Sequence, residues 1–318
     1  MSEKPEYTFF QTKTKLSEKN NPTSGKCSEA TKLINNVSET LTDTMLVSAY
    51  DIFHKHIPIP YENATPELIF LDSGGYEVGD TFDYSTIIRS TVIANEWEER
   101  HYVEILEAWP DYVPAVFISF DHQGEPVKKQ IELAKQLFAK FKREQLYEIL
   151  IKPVRDEITF NETYKSICDS ITELEYFDII GVAEKELGNS ISMIMHNIAN
   201  IRLALDAAKI NAPLHIFGSL DPLTSWLYYI SGAELFDGLT WQRYVYSNGQ
   251  SFYYREHGII SREIEKKEDQ IKADILEHNL HYLRDLQLEM VDYSVNINFD
   301  NIKYNGEIIK DIYNKVFE

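Results

Sequence analysis

Two aspartates, Asp72 and Asp237, each stand where a hydrophobic run of the sequence ends. Leu-Ile-Phe-Leu precedes Asp72 and Ser-Gly-Gly follows it, whereas Asp237 comes after Glu-Leu-Phe and before Gly238. A buried strand that delivers a carboxylate and then turns on glycine is a common way to build a catalytic rim. Two such carboxylates can divide the roles of nucleophile and general acid/base between them. The alternative is a turn in which the same aspartates only satisfy backbone N–H groups.

The elements that must position these aspartates alternate between short apolar runs and amphipathic segments. The predicted strands are residues 45–50, 68–72, 115–121, 148–153, 177–183, 213–218 and 235–240. The predicted helices are residues 86–108, 126–143, 161–174, 189–209 and 221–232. This alternation indicates right-handed βαβ units and a parallel sheet, and roughly seven or eight units favour an α/β (β/α)8 TIM-like barrel over an open sheet.

In a barrel of this kind the chemistry lies at the carboxyl ends of the strands. Carboxylates are frequent among the residues predicted to end strands, more than a rim that serves stability alone requires. The predicted strand-end residues are Asp72, Asp121, Lys152, Gly181, Gly218 and Asp237.

The chain is predicted to have three parts. Residues 1–42 would form an extended or flexible polar lead-in, since most of them are Ser, Thr, Asn, Lys and other polar residues. Residues 43–291 would form the barrel, ending in one long helix that begins near residue 262. Residues 292–318 would close this C-terminal helical segment as an irregular, Asn-rich tail packed on or near the barrel.

Composition narrows the class of protein. A formal net charge of −20 and a pI of about 4.9 argue against tight, autonomous binding to a nucleic-acid backbone, but allow a local basic rim or a partner protein. Cys27 and Cys168 are too few for a four-cysteine zinc site, so we expect no metal and no cofactor. The N-terminus lacks an apolar leader and no apolar stretch reaches roughly 18 residues, so a cytoplasmic protein without membrane contact is predicted.

Six elements, in order, resemble the tRNA-guanine transglycosylases and their relatives that place 7-deazaguanines in DNA. The resemblance extends over about residues 68–290. Leu-Asp-Ser-Gly-Gly-Tyr-Glu is similar to the family's D-S-G-G-[FY]-Q element, and Phe120-Asp121 to its base-contacting aspartate. Residues 181–184 resemble the glycine-rich loop, and residues 217–223 resemble G-x-G-x-P-E-D-L. Residues 236–243 resemble F-D-C-V-x-P-T-R, followed by 248–249 for R-N-G. Residues 277–283 resemble the H-N-L-x-[FY]-Y helix.

The resemblance implies a pentosyltransferase that exchanges guanine or another purine for a 7-deazapurine at an N-glycosidic bond in tRNA or DNA. Asp237 would be the nucleophile that attacks C1′ and holds a covalent intermediate, with Asp72 as the general acid/base. Asp121 would accept hydrogen bonds from a guanine-like N1–H and amino group. The other substrate-binding residues implied are Ser73, Gly74, Lys152, Gly181 and Arg243, the last of which would orient Asp237 or bind a phosphate.

The sequence departs from the family pattern in two places that bear on function. The family's zinc site, C-x-C-x-x-C plus a histidine, is missing, because no cysteine follows Cys168. Ile151-Lys152-Pro153 replaces V-Q-G, so a lysine stands where the family's glutamine contacts the base, and the base need not be the usual one. His278 and His281 have a spacing compatible with metal binding, but the helix motif favours a packing role.

Several functions remain open on these residues. The leading hypothesis is base exchange, or base removal by an N-glycosidase if water replaces the incoming base. The missing zinc site and the acidic charge favour a non-catalytic, transglycosylase-like subunit that positions a partner on nucleic acid. Two-carboxylate chemistry on a small substrate, such as glycoside hydrolysis, is a further alternative. Whether the substrate is tRNA, DNA or a free nucleoside, and whether the chain forms homo- or hetero-oligomers, is left open.

Overall fold

Strands and helices alternate along the chain, as the sequence pattern predicts. The computed structural model describes residues 9–13, 43–57, 59, 66–75, 96–122, 124–141, 144–152 and 160–318. The strands are β1 (Phe9–Lys13), β2 (Thr44–Ser48), β3 (Leu68–Asp72), β4 (Ala115–Ile118), β5 (Leu146–Ile151), β6 (Ile179–Ala183), β7 (Leu214–Phe217), β8 (Leu235–Gly238), β9 (Tyr244–Ser247) and β10 (Gln250–Tyr253). The helices are α1 (Ala49–Phe53), α2 (Glu99–Ala108), α3 (Val127–Phe138), α4 (Phe160–Asp169), α5 (Ile191–Ala207), α6 (Pro222–Ile230), α7 (Thr240–Arg243), α8 (Tyr254–Ile260), α9 (Glu268–Asn296) and α10 (Gly306–Phe317).

Seven parallel strands, β2 to β8, follow one another as neighbours and form a nearly closed barrel of the TIM-like type. The α/β barrel class expected from the sequence is therefore confirmed. The segment β1 lies inside the predicted lead-in and pairs in parallel with β2 on one side and with β8 on the other, where Gln11 is opposite Asp237. Among the described residues, no helix combines the length and the apolar character needed to cross a bilayer.

Successive residues of each barrel strand face opposite sides of the wall. One set, such as Ile149, Ile180 and Ile216, joins the large apolar core under the helices. The other set faces the barrel interior, where a smaller apolar cluster fills the space. That interior cluster consists of Leu46, Phe70, Val116, Ile118, Leu150, Ile179, Ala183, Phe217 and Leu235.

A β-hairpin follows the last barrel strand. Strands β9 and β10 are antiparallel, and the two residues between them, Asn248 and Gly249, have φ of 51° and 75°. Two successive positive φ values are typical of the type I′ turn, which matches the twist of the strands and favours Asn-Gly. The Asn-Gly pair singled out in the sequence is therefore the turn of this hairpin.

Helix α9 fixes the hairpin through the residues of the His-Asn-Leu motif. Asn279 is fully buried: its Oδ1 accepts from the Tyr246 N–H at 2.9 Å, and its Nδ2 donates to the carbonyls of Trp241 and Tyr244, each at 2.6 Å. His278 Nε2 lies 2.7 Å from the Tyr246 carbonyl oxygen. The motif therefore secures the chain directly after β8, and the contact of His278 is the packing role expected for it.

The prediction of an irregular tail at 292–318 is wrong. Helix α9 continues to Asn296, and α10 forms a further helix beyond it. The apolar residues Ile309, Ile312 and Val316 recur at helical spacing, and Ile309 is fully buried while the other two pack against the core. The asparagines that suggested irregular structure lie mostly at the helix ends, where Asn305 precedes α10 with φ of 61°.

Two predicted helices begin later than expected. The helix predicted at 262–291 begins at Glu268, because Arg262 has φ of 64° and residues 261–267 form turns. The helix predicted at 86–108 is observed as α2, and the first part of that prediction, up to residue 95, lies outside the described residues.

Replacing Asn279 with alanine should lower the free energy of unfolding by about 2–4 kcal/mol, because one buried backbone N–H and two carbonyls lose their partner. Urea unfolding followed by circular dichroism would measure this change. Asn296→Ala, at the exposed end of the same helix, is the control and should change the free energy by less than about 0.5 kcal/mol. Equal, small effects would show that the Asn279 amide does not hold the hairpin.

Candidate active site at the carboxyl end of the barrel

The structure brings Asp72 and Asp237 to one end of the barrel interior. Asp72 is the last residue of β3, and Asp237 is the third residue of β8. Asp72 is 4% exposed and Asp237 has no exposed surface. Both carboxylates act electrostatically on the same buried group, Glu148 of β5. Two aspartates predicted from strand ends therefore share one enclosed region with a third acidic side chain.

A histidine joins two of these carboxylates inside the barrel. His215 of β7 lies with Nδ1 2.6 Å from Glu148 Oε1 and with Nε2 3.6 Å from Asp237 Oδ1. The first distance is that of a charge-assisted hydrogen bond, and the second is that of an ion pair rather than a formed hydrogen bond. Glu148, His215 and Asp237 are all fully buried. We call these three residues the interior network.

The charges of the interior network keep His215 in its protonated form. Burial by itself would lower the pKa of His215, but the negative charges of Glu148 and Asp237 outweigh it and raise the pKa to about 9. Burial raises the pKa of the Glu148 carboxyl; the imidazolium of His215 opposes this, and the charges of Asp237 and Asp72 add to it. At neutral pH the interior therefore holds a protonated His215 between Glu148 and Asp237.

Glu148 and His215 were not predicted as site residues. Each stands inside an apolar strand, in Leu-Tyr-Glu-Ile-Leu-Ile and in Leu-His-Ile-Phe. Glu148 lies two positions before Leu150, and His215 two positions before Phe217, so each faces the barrel interior on the same side of its strand. A charged residue on the inward-facing side of a buried strand is the signal that would have found them.

Gly181 provides the room for the Glu148 carboxylate. It is the third residue of β6, below the strand end where it was predicted to bind the base. A Cβ at this position would lie 2.5 Å from Phe217 Cε2 and 2.8 Å from Glu148 Oε1, closer than these atoms can approach. Its place in the strand therefore connects Gly181 with the interior network, and its role toward a base stays a prediction.

Gly218 holds Asp237 from the neighbouring strand end. Its N–H donates to Asp237 Oδ1 at 2.8 Å, and its φ of 82° is a value that favours glycine. His215 Nε2 approaches the same oxygen. The Asp237 carboxylate is thus oriented through Oδ1 from two directions.

Asp121 and Lys152 form an ion pair at the ends of β4 and β5. Lys152 Nζ donates to Asp121 Oδ2, and the two side chains are 14% and 4% exposed, respectively. Gln130 of α3 accepts from the Lys152 N–H at 2.9 Å and donates to the Lys152 carbonyl, which fixes the backbone that carries the ammonium group. A side chain at Gly75 would collide with Asp121. The two residues predicted to contact a base therefore lie together, as a donor beside an acceptor.

Ser73 and Gly74 continue from Asp72 into a tight turn. Ser73 is 1% exposed, and its carbonyl accepts from the Trp97 indole N–H at 2.8 Å. Gly74 has φ of 82°, and a Cβ there would lie 2.6 Å from Tyr50 Cβ. The turn after Asp72 is therefore held by aromatic residues that pack against its backbone.

Arg243 lies at the end of α7, half-buried and six residues after Asp237. Its predicted role, orienting Asp237 or binding a phosphate, stays a prediction. Among the described residues, no group of three or more His, Cys, Asp or Glu side chains is arranged to hold a metal ion.

The site is enclosed in this conformation. Asp237 has no exposed surface and Asp72 has very little. A molecule outside the barrel therefore does not contact the Asp237 carboxylate in this conformation.

Comparison with known proteins adds no relative. No protein-family model matches the chain, and no curated protein matches it. The transglycosylase hypothesis therefore rests on the sequence motifs and on the arrangement of these side chains.

The free energy of unfolding should fall as the pH rises from 6.5 to about 9. The pKa of His215 is higher in the folded protein than its ordinary value of 6.5, so its contribution is complete below pH 6.5 and is lost as the pH passes 9. The loss should be about 3 kcal/mol, measured by urea unfolding at a series of pH values. The lowered pKa values of His54 and His257 act in the opposite direction, but below pH 6.5.

Variants separate this contribution from general alkaline destabilisation. His215→Gln should flatten the decline, whereas His196→Gln, at an exposed position, should leave it unchanged. A decline of the same size in His215→Gln would show that the interior network is not its cause.

Proposed function

We propose that this protein is a transglycosylase-like pentosyltransferase that breaks and remakes an N-glycosidic bond of a nucleoside in tRNA or DNA. The observation that carries the proposal is that Asp72 and Asp237, from strands far apart in the sequence, are both buried at one end of the barrel and act on the same buried group, Glu148. In this proposal the barrel is a (β/α)8 barrel with β1 as its eighth strand, and the protein acts in the cytoplasm.

Asp237 is the nucleophile of the proposed reaction. Its carboxylate oxygen forms an ester bond to C1′ as the bond from C1′ to the base breaks, and the electron pair stays on the base nitrogen. Asp72 gives a proton to that nitrogen. In the second half, Asp72 takes a proton from the incoming base, the base nitrogen bonds to C1′, and Asp237 leaves as a carboxylate. Contacts from Gly218 and His215 to Oδ1 support this assignment, since a nucleophile needs a fixed orientation.

The Asp121–Lys152 pair would bind the edge of the base. An ammonium group beside a carboxylate presents donors and acceptors next to each other, so a matching base edge carries an acceptor and at least one donor. The 6-oxo group and the N1–H of guanine or a 7-deazaguanine have this pattern. The ion pair must share its hydrogen bonds with the base, and this exchange makes base selection sensitive to both residues. Ser73 and Gly74 would bound the same pocket.

The polymer would have to be bound with help from a partner protein or a local basic surface, because the chain as a whole is strongly acidic. A second candidate function, a non-catalytic subunit that positions a partner on nucleic acid, is favoured by two observations. Asp237 is enclosed, and Asp121 is engaged by Lys152. Measurement of base exchange separates the two functions.

The protein should incorporate isotope-labelled guanine or 7-deazaguanine into tRNA, duplex DNA or single-stranded DNA. Asp237→Asn keeps the shape of the side chain but removes the nucleophile, so incorporation should fall by about 10³-fold or more. Polymer-bound label is the readout. Asp111→Asn, at an exposed position, is the matched control and should retain the parent rate.

An active Asp237→Asn protein would contradict the nucleophile assignment. No label in any polymer, from parent protein with native circular dichroism, would contradict base exchange and favour the non-catalytic subunit. Label loss without replacement, seen as release of a free base from prelabelled polymer, would identify an N-glycosidase instead.

Lys152→Met should lower kcat/KM for the preferred base by about 10- to 100-fold, because it removes a charged hydrogen bond to the base edge. Asp121→Asn should have a similar effect, and the double variant should lose less than the product of the two, since the residues act as a pair. Lys128→Gln, with an exposed side chain, is the control. Unchanged selectivity in Lys152→Met would place base recognition elsewhere.

A further inference from the structure

Packing of the barrel interior is one explanation for the interior network. Inward-facing residues of a small barrel usually pack as apolar layers, and a buried ion pair can simply fill such a layer. A barrel interior of this kind is normally more stable when the ion pair is replaced by apolar residues of similar volume. An apolar cluster surrounds much of this network, and Glu148 and His215 interrupt it. A buried ion pair that lowers the stability of the barrel in this way is expected where it serves the chemistry of a site.

We propose that Glu148 and His215 are positioning residues for Asp237: Glu148 holds the imidazolium of His215 at Nδ1, and His215 holds Asp237 as an oriented, ionised carboxylate. The proposal rests on the proposed function, since Asp237 is the nucleophile there. It adds two residues, and a reason for Gly181, that the sequence motifs do not contain.

The His215 ring lies between the two carboxylates in a defined orientation. Glu148 contacts Nδ1 and Asp237 faces Nε2, so the two carboxylates lie on opposite edges of one ring. The 2.6 Å contact with Glu148 is the shorter one, which fixes the ring orientation and directs Nε2 toward Asp237. The Phe217 ring lies 3.8 Å from the imidazole by ring centroids and restricts its rotation.

The charges that face His215 come from several strands. Glu148 reaches it from β5 and Asp237 from β8, and Asp72 of β3 acts on the same carboxylate cluster. The hydroxyl of Tyr102 donates to the carbonyls of Ile118 and Leu71 below Asp72, and it carries no charge at neutral pH. Without the imidazolium, several carboxylates would face one another at low dielectric, and one of them would take up a proton.

The chemical consequence concerns the protonation of Asp237. A protonated Asp237 cannot form the ester bond to C1′, so loss of the His215 charge should restrict activity to higher pH. In the second half-reaction Asp237 must leave as a carboxylate, and an adjacent imidazolium stabilises that leaving group. The network would therefore serve both halves of the exchange without touching the substrate.

His215→Asn keeps a side chain that can donate a hydrogen bond but removes the charge. The acid limb of the pH–rate profile of base exchange should move up by at least about one unit, so that the loss relative to the parent is about tenfold or more on the acid limb and shrinks as the pH rises. A residue that only fills space would lower the rate equally at every pH. An unchanged profile, or a uniform loss in a folded variant, would overturn the proposal.

Glu148→Gln tests the contact between Glu148 and His215. This test does not depend on activity or on the folding of His215→Asn. NMR titration of the histidine rings should show His215 protonated well above pH 7 in the parent and titrating at least about one unit lower in Glu148→Gln. The exposed His196 provides a reference signal that should not move. A parent His215 that titrates near its ordinary value, or one that is unaffected by Glu148→Gln, would overturn the proposal.

These measurements separate the two claims. If no polymer accepts label but His215 titrates high and responds to Glu148, the charge network is upheld and the proposed function fails. If exchange occurs and His215 titrates normally, the function is upheld and the network is rejected.

Discussion

A single imidazole among several carboxylates is the constraint on which this site depends. An apolar cluster fills much of the barrel interior, and a carboxylate placed there is costly unless a cation and hydrogen bonds compensate it. His215 supplies that compensation to Glu148 directly and to Asp237 across a longer gap. Gly181 lacks a side chain beside this pair, where a Cβ would enter the space that the Phe217 ring and the Glu148 carboxylate occupy. The electrostatic requirement thus links Glu148, His215 and Asp237, and Gly181 lies on the strand between the first two.

The surrounding elements hold the mouth of the barrel around this network. Asn279 of α9 binds the backbone of α7 at Trp241 and of β9 at Tyr244 and Tyr246, shortly after the strand that carries Asp237. On the other side, Trp97 binds the carbonyl that follows Asp72. Side chains whose own positions are locked in this way can present a carboxylate with little freedom. The enclosed state of Asp237 means that the same supports must allow an opening movement if a nucleoside is to enter.

The sequence predicts the barrel class and the two strand-end aspartates, because strand and helix periodicities and an apolar run ending in Asp are local patterns. It does not predict the pairing of Glu148 with His215, since these residues are 67 positions apart and the pairing depends on which face of each strand is inward. Strand β1, Phe-Phe-Gln-Thr-Lys, is missed for a related reason: it is short, it adjoins a long polar segment, and its pairing is with β2 and β8, which are distant from it in the sequence. Helix α10 is missed because asparagines at its start obscure the apolar spacing that follows.

The most direct test is the location of a covalent intermediate. The protein would be incubated in turn with tRNA, duplex DNA and single-stranded DNA, without an incoming base, and then denatured. Nuclease digestion and peptide mapping by mass spectrometry would follow. If Asp237 is the nucleophile, we expect an added nucleotide mass on the peptide that contains Asp237, for one of these polymers. An adduct on another residue, or base exchange that proceeds without any adduct, would contradict it.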